Sequence, residues 1–216
     1  MTFSISARCE KTNQLGGAIS TAVPAVGARC AYAKTNVGAI SSQSISNPYI
    51  AIRGLELLEN NLNASEVLDI VLSRDPDREL RQVGIVDNNG RSAAFTGEKC
   101  EGYSGHLTGY NYSIQGNTLV NEETLTAMED VFLNNEELTL AERLLKTIEA
   151  AQVAGGDKRG RQSAALLVVD NEEHPVVDLR VDEHVDPVAE LRRIYEVAES
   201  DLYPYFKTMP KLLEEK

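Results

Sequence analysis

The residue with the most chemistry open to it is the second one. Thr2 follows Met1 directly, and threonine is small enough for an initiator methionine before it to be trimmed. Trimming would leave a free α-amine beside a hydroxyl on one residue. The amine then serves as general base and the hydroxyl as nucleophile, a pairing that opens amides through an acyl-enzyme ester. A strand-like run begins at once with Phe3 and Ile5, so the terminus is expected to be held in a sheet. The competing reading is an ordinary strand end with no chemistry.

Two further segments carry polar groups suited to a site. The first is Gly155-Gly156-Asp157-Lys158-Arg159-Gly160-Arg161-Gln162-Ser163. It lacks the Gly-Lys-Ser/Thr order of a phosphate loop and lies between a helix and a strand rather than the reverse. It can still deliver Asp157, Arg161, Gln162 and Ser163 to a site, or be a solvated turn. The second segment spans residues 97–117, with tyrosines, His106, Gln115 and Asn117. Such a set suits a polar, uncharged ligand, and a side-chain amide such as Asn117 or Gln43 can polarise a carbonyl. His106, with no second histidine nearby, is more often a hydrogen-bonded structural histidine than a ligand or base.

No cofactor or metal is expected. His106, His174 and His184 are isolated from one another, and Cys9, Cys30 and Cys100 form no close pair. An odd, scattered set of cysteines points to a reducing compartment, and no signal peptide precedes the first strand, so a cytoplasmic location is expected. The stretch 15–33 is broken by Pro24, glycines and Arg29, so no membrane span is expected. With 33 acidic against 21 basic side chains, the net charge of -12 repels phosphate backbones, which argues against nucleic acid.

The elements that must position these residues follow from local pattern. Short runs at 3–7, 17–21 and 37–44 read as strands. Asn47-Pro48 opens a helix to residue 59, and Asn63-Ala64-Ser65-Glu66 has the form of a capping box. Residues 82–87 and 91–96 flank Asn88-Asn89-Gly90, a hairpin signal. Helices are expected over 121–133 and 139–152, the latter opened by a Thr139-x-x-Glu142 box. A second hairpin at 163–169 and 176–181 precedes a helix capped by Asp186-Pro187. Helices in blocks between hairpins make an α+β protein with mainly antiparallel sheets. One domain over 1–199 and a tail over 200–216 are expected, the tail docked or partly loose.

In order along the chain, several stretches resemble one bacterial and archaeal family, domain of unknown function 1028, classed with the N-terminal-nucleophile (Ntn) hydrolases. They include Thr2-Phe3-Ser4-Ile5, Val37-Gly38-Ala39-Ile40, Arg53-Gly54-Leu55, Gly105-His106, Gln115-Gly116-Asn117, the loop from Gly155 to Leu166, and Asp186-Pro187-Val188-Ala189-Glu190-Leu191. The resemblance implies a four-layer αββα sandwich of two stacked antiparallel sheets, with Thr2 attacking a small-molecule or peptide amide. On that reading Thr2, Asn117 and Asp157 are the catalytic set, and Gln43, His106, Gln115, Arg161, Gln162 and Ser163 bind substrate. Lys34 lies about as far from Thr2 as the activating lysine of proteasome subunits. Two other readings stand beside it. One is a binding module using residues 106–117 for a polar ligand such as a cell-wall fragment. The other is a homo-oligomer, a homodimer in the simplest case, joined through the apolar tail 202–213.

Overall fold

A computed structural model describes residues 2–206. In chain order they form β1 (Thr2–Arg8), β2 (Leu15–Thr21), a one-turn α1 (Gly27–Cys30), β3 (Ala31–Lys34) and β4 (Gly38–Ser44). Then come α2 (Pro48–Glu59), α3 (Ala64–Ser73), β5 (Arg81–Asp87), β6 (Ser92–Thr96), β7 (Tyr103–Gly109) and β8 (Tyr112–Leu119). The rest are α4 (Glu123–Leu133), α5 (Leu140–Val153), β9 (Ser163–Val169), β10 (Val177–Val181), α6 (Pro187–Asp201) and α7 (Tyr203–Phe206). One sheet runs β10-β9-β2-β1-β8-β7 and the other β3-β4-β5-β6, antiparallel throughout. This is the αββα sandwich that the resemblance implied.

Alternation along the strands builds the layers. On β1, Phe3, Ile5 and Ala7 face helices α4, α5 and α6, in a core with Ile114, Met128, Phe132, Leu144, Ile148 and Leu191. On the smaller sheet, Ile40, Val83 and Ile85 pack with Ile50, Leu58, Val67 and Val71 of α2 and α3. The two larger apolar cores therefore lie outside the pair of sheets, each between a sheet and its helices, and a small third one of Ile19, Val26, Cys30 and Ala165 gathers under α1.

Between the two sheets the chemistry is polar. Ser113 Oγ donates to Gln115 Oε1 at 2.9 Å, and Gln115 Nε2 donates to Ser4 Oγ at 2.6 Å. Ser4 Oγ donates to Gln43 Oε1 at 2.7 Å, and Gln43 Nε2 donates to Gln82 Oε1 at 2.8 Å. Gln82 Nε2 reaches Thr96 Oγ1 at 3.0 Å and the carbonyls of Gly105 and Gly116 at 3.1 and 2.8 Å. Ser6 and Ser41 pair at 2.9 Å beside this chain. Ser4, Gln43, Gln82 and Gln115 are fully buried, and none of their buried polar atoms lacks a partner, as burial of amides requires.

Local signals behave as their physics dictates. Asn47 accepts the Tyr49 N–H at 3.1 Å with Pro48 in the first turn. At α3 the capping box closes both ways, Asn63 taking the N–H groups of Ser65 and Glu66 while Glu66 takes that of Asn63. Two expectations need correction. Thr139 caps α5, but Glu142 does not return the bond, because Arg192 takes its carboxylate. Asp186 precedes α6 without a side-chain cap bond, its carboxylate pairing with Arg161 at 3.1 Å instead. The helix α6 runs through the expected boundary at 199, and Tyr203 rests on Tyr195 with ring centroids 6.2 Å apart. Most of the tail, from residue 207 on, lies outside the described residues.

Close approach of the sheets leaves no room at Gly84, where an added Cβ would lie 1.9 Å from Gln115 Oε1. At Gly105 the nearest atom would be 3.4 Å away. Gly84→Ala is therefore expected to cost about 1–3 kcal/mol in urea unfolding, and Gly105→Ala less than about 0.5 kcal/mol. Equal costs would mean that the amide layer is not packed as described.

Candidate active site

At the end of the interlayer where β1 begins and β4 ends, the sheets part around a cleft of about 540 Å³. Thr2 lies on its floor. The walls are Val23, Pro24, Ala25 and Val26 on one side, Ser44, Ile45 and Ser46 on another, with Arg29, Cys30 and Arg159 completing the lining. Thr2 is only 4% exposed, and β1 is paired on both edges, by β2 and by β8. Its hydroxyl donates to Thr21 Oγ1 at 3.3 Å, and its carbonyl accepts from Gln43 Nε2 at 3.3 Å.

Two loops are tied into the wall. Asp157, 4% exposed, accepts the Ala22 N–H at 3.1 Å, the Arg159 N–H at 2.9 Å and the Arg159 guanidinium at 3.3 Å. Ser163 Oγ donates to the Val23 carbonyl at 2.6 Å and accepts the Val26 N–H at 3.1 Å. Asp157 and Ser163 thus hold residues 22–26 in place. That wall stores strain: Ala25 sits at φ 57°, and Ser44 opposite it at φ 70°. Left-handed backbone without glycine costs roughly 1–2 kcal/mol per residue and concentrates where a site over-determines the chain.

The expected site residues separate into groups. Thr2 lines the cleft, and Asp157 and Ser163 brace it. Asn117 is Thr2's partner on β8, but its amide turns inward to Gln82 Oε1 at 2.8 Å. Gln43 and Gln115 belong to the interlayer chain and are fully buried. Gln162 contributes backbone, its N–H going to the Thr21 carbonyl and its carbonyl taking the His184 N–H. Arg161 sits on the surface with Asp186. Lys34 is at the far end of β3, paired with Glu59 at 2.6 Å.

His106 ends the interlayer chain on the surface, with Nδ1 2.9 Å from Thr96 Oγ1. Thr96 Oγ1 also accepts from Gln82 Nε2, so this hydroxyl joins the ring to the interlayer chain. Partial desolvation of the ring lowers its pKa, in keeping with a neutral imidazole. The residues that sequence reasoning passed over are Arg29, Cys30, Arg159, Ser44 and Ser46. Arg159 stood in a loop already singled out. Arg29 and the serines had no local signal, because only the sheet stacking brings them to Thr2. Among the described residues no three His, Cys, Asp or Glu side chains gather as a metal site, and no helix is long and apolar enough to cross a membrane.

Residues 2–191 match the family of unknown function DUF1028. The chain belongs to DUF1028. A crystal structure from that family, protein SPO2555 from Silicibacter pomeroyi, is 31% identical, with a TM-score of 0.90 over 98% of this chain and 95% of that one. Anbu, the ancestral β-subunit from Yersinia bercovieri, is 10% identical with a TM-score of 0.41, over 98% and 99% of the two chains. A Gly-1 mutant of Anbu from Hyphomicrobium sp. strain MC1 is 10% identical with a TM-score of 0.43, over 99% and 100%. Likeness that distant bears on no chemistry. No curated protein matches the chain.

Replacing Asp157 by Ala removes the acceptor of the Ala22 amide, so hydrogen exchange at Ala22 should quicken about tenfold or more. Unchanged exchange would show that Asp157 does not brace the wall. Thiol reactivity should also divide. Cys9 and Cys30 are both 8% exposed. Burial pushes the Cys30 thiol up to about 11, the Ser46 hydroxyl and Arg29 only partly offsetting it. Burial also raises Cys9, but the hydroxyl and N–H of Thr12, the N–H of Lys11 and the charge of Arg143 outweigh it and lower the thiol. Iodoacetamide at neutral pH is therefore expected to label Cys9 first and Cys30 last, as mass spectrometry of timed digests would show.

Proposed function

We propose that this chain is an amide hydrolase of the N-terminal-nucleophile type, with Thr2 as nucleophile once Met1 has been removed. One observation carries the reading: the Thr2 hydroxyl lies on the floor of a cleft, at the end of a strand paired on both edges, oriented by Thr21. A nucleophile on such a strand is held still without help from a ligand.

Freed of Met1, the α-amine lies within its own residue's reach of Oγ1 and takes the proton as Oγ1 attacks the carbonyl carbon of a small amide or peptide bond. The C–N bond then breaks, the leaving amine carries that proton away, and an ester remains on Thr2. Water, losing a proton to the same amine, attacks the ester, releases the acid and restores the hydroxyl. The guanidiniums of Arg29 and Arg159 in the lining oppose a positive charge on the amine and so favour its basic form. Ser44 and Ser46 line the same cleft and are the candidates to donate to the developing oxyanion. Asp157 and Ser163 act by positioning, and Asn117 backs Thr2 from the neighbouring strand.

A binding-only role for residues 106–117 has less to stand on, because Gln115 and Asn117 turn toward Ser4 and Gln82 in the interior. The experiment is a screen of amide substrates with chain whose loss of Met1 is verified by intact mass. Turnover should fall about a thousandfold or more in Thr2→Ala and in chain that retains Met1. Undiminished turnover in Thr2→Ala would sink the proposal.

A further inference from the structure

The cleft reverses the charge of the molecule around it. The chain carries 33 acidic and 21 basic side chains, yet the lining includes Arg29 and Arg159 and no Asp or Glu. The nearby carboxylate of Asp157 stands behind the wall and is already spoken for by two backbone N–H groups and by Arg159. Arg29 makes no ion pair among the described residues, although its carbonyl accepts the Tyr32 hydroxyl at 3.2 Å. An exposed guanidinium beside a nucleophile, in a chain with an excess of carboxylates to pair it with, is placed for a partner from outside. Walls of Val23, Val26 and Ile45 lower the local dielectric and strengthen such a contact relative to open solvent.

We propose that the cleft takes amides that carry a free carboxylate, with Arg29 gripping the carboxylate, Arg159 adding its charge, and the amide carbonyl over Thr2. The hydrolytic half rests on the function proposed above; the binding half does not. A guanidinium presents two parallel N–H donors that match a carboxylate. Val23, Val26 and Ile45 line the same cleft as Arg29 and Thr2 and suit a short methylene spacer. The ligand class is thus the monoamide of a small dicarboxylic acid, or an amino acid acylated on nitrogen, rather than a neutral peptide interior.

Thr2→Ala chain, which has no nucleophile, separates binding from turnover. Glutarate and glutaramide are matched probes, alike in length and differing in charge, to be titrated by calorimetry at low salt. Glutarate should bind about tenfold or more tightly than glutaramide, weaken with added salt, and lose about tenfold in affinity when Arg29→Ala is added. Arg29→Lys should recover part of the loss, because it keeps the charge without the fork. Thermal melts of each variant show whether the fold has survived; Arg159 is left intact because it also serves Asp157. Equal affinity for both probes, no glutarate binding, or an Arg29→Ala chain that binds like its parent would overturn the proposal. Inorganic phosphate binding as tightly as glutarate would overturn the choice of carboxylate. If glutarate binds as expected but the trimmed chain hydrolyses no glutaryl anilide, the hydrolase reading fails and the carboxylate site stands. If the trimmed chain cleaves neutral and anionic anilides alike, the hydrolase reading stands and the carboxylate site falls.

Discussion

The sheets of this protein are held face to face by side-chain amides, and most of the structure depends on that. Buried amides are costly unless every donor and acceptor is used, so Ser4, Gln43, Gln82, Gln115 and Asn117 admit one mutual arrangement. Gln82 meets both sheets, receiving Asn117 from β8 and Gln43 from β4 while donating to backbone on β7 and β8, and Gln43 does the same with Ser4 on β1 and Gln82 on β5. Two greasy faces could slide over one another by a residue pair at modest cost; a lattice of amides cannot. The register of the sheets, and with it the place where they part around Thr2, is fixed by hydrogen bonding, while most of the stabilising apolar burial is done on the outer faces.

This division explains what could be seen in the sequence. The Asn88-Asn89-Gly90 hairpin, the Asn63 capping box and the Asn47-Pro48 helix start rest on contacts within a few residues, and they stand where expected. The polar stretch 97–117 is different. It suggested a ligand surface, but it holds β7 and β8, two strands of the larger sheet. Ser113, Gln115 and Asn117 alternate with Tyr112 and Ile114 as a strand should, and yet both sides are buried, the apolar one against the helices and the polar one against the other sheet. Alternation identifies two faces and does not say that either is wet. The short β3 and α1 had no local signal, because their stability comes from packing against β4 and β9.

The candidate site was legible to a similar degree. Thr2 stood out through its chemistry, and the loop 155–163 through its glycines and charges. Within that loop the side chain that reaches the cleft is Arg159, not Arg161, and the two lie on opposite sides of the positive-φ Gly160. Arg29, Ser44 and Ser46 meet Thr2 only through strand pairing over long separations in sequence, which no local pattern records.

The hydrogen bonds of the interlayer also have a sense. From Ser113 through Gln115, Ser4, Gln43 and Gln82 to Thr96, every donor points the same way, and Thr96 meets His106 at the rim. Aligned bonds polarise one another, so the row behaves as a small electrical dipole threaded between the sheets, with its proton-accepting end at the rim. Amides and hydroxyls do not ionise in water's ordinary range. The imidazole of His106 is thus the one group in that row that acid can charge, and a charge there would oppose the whole row at once.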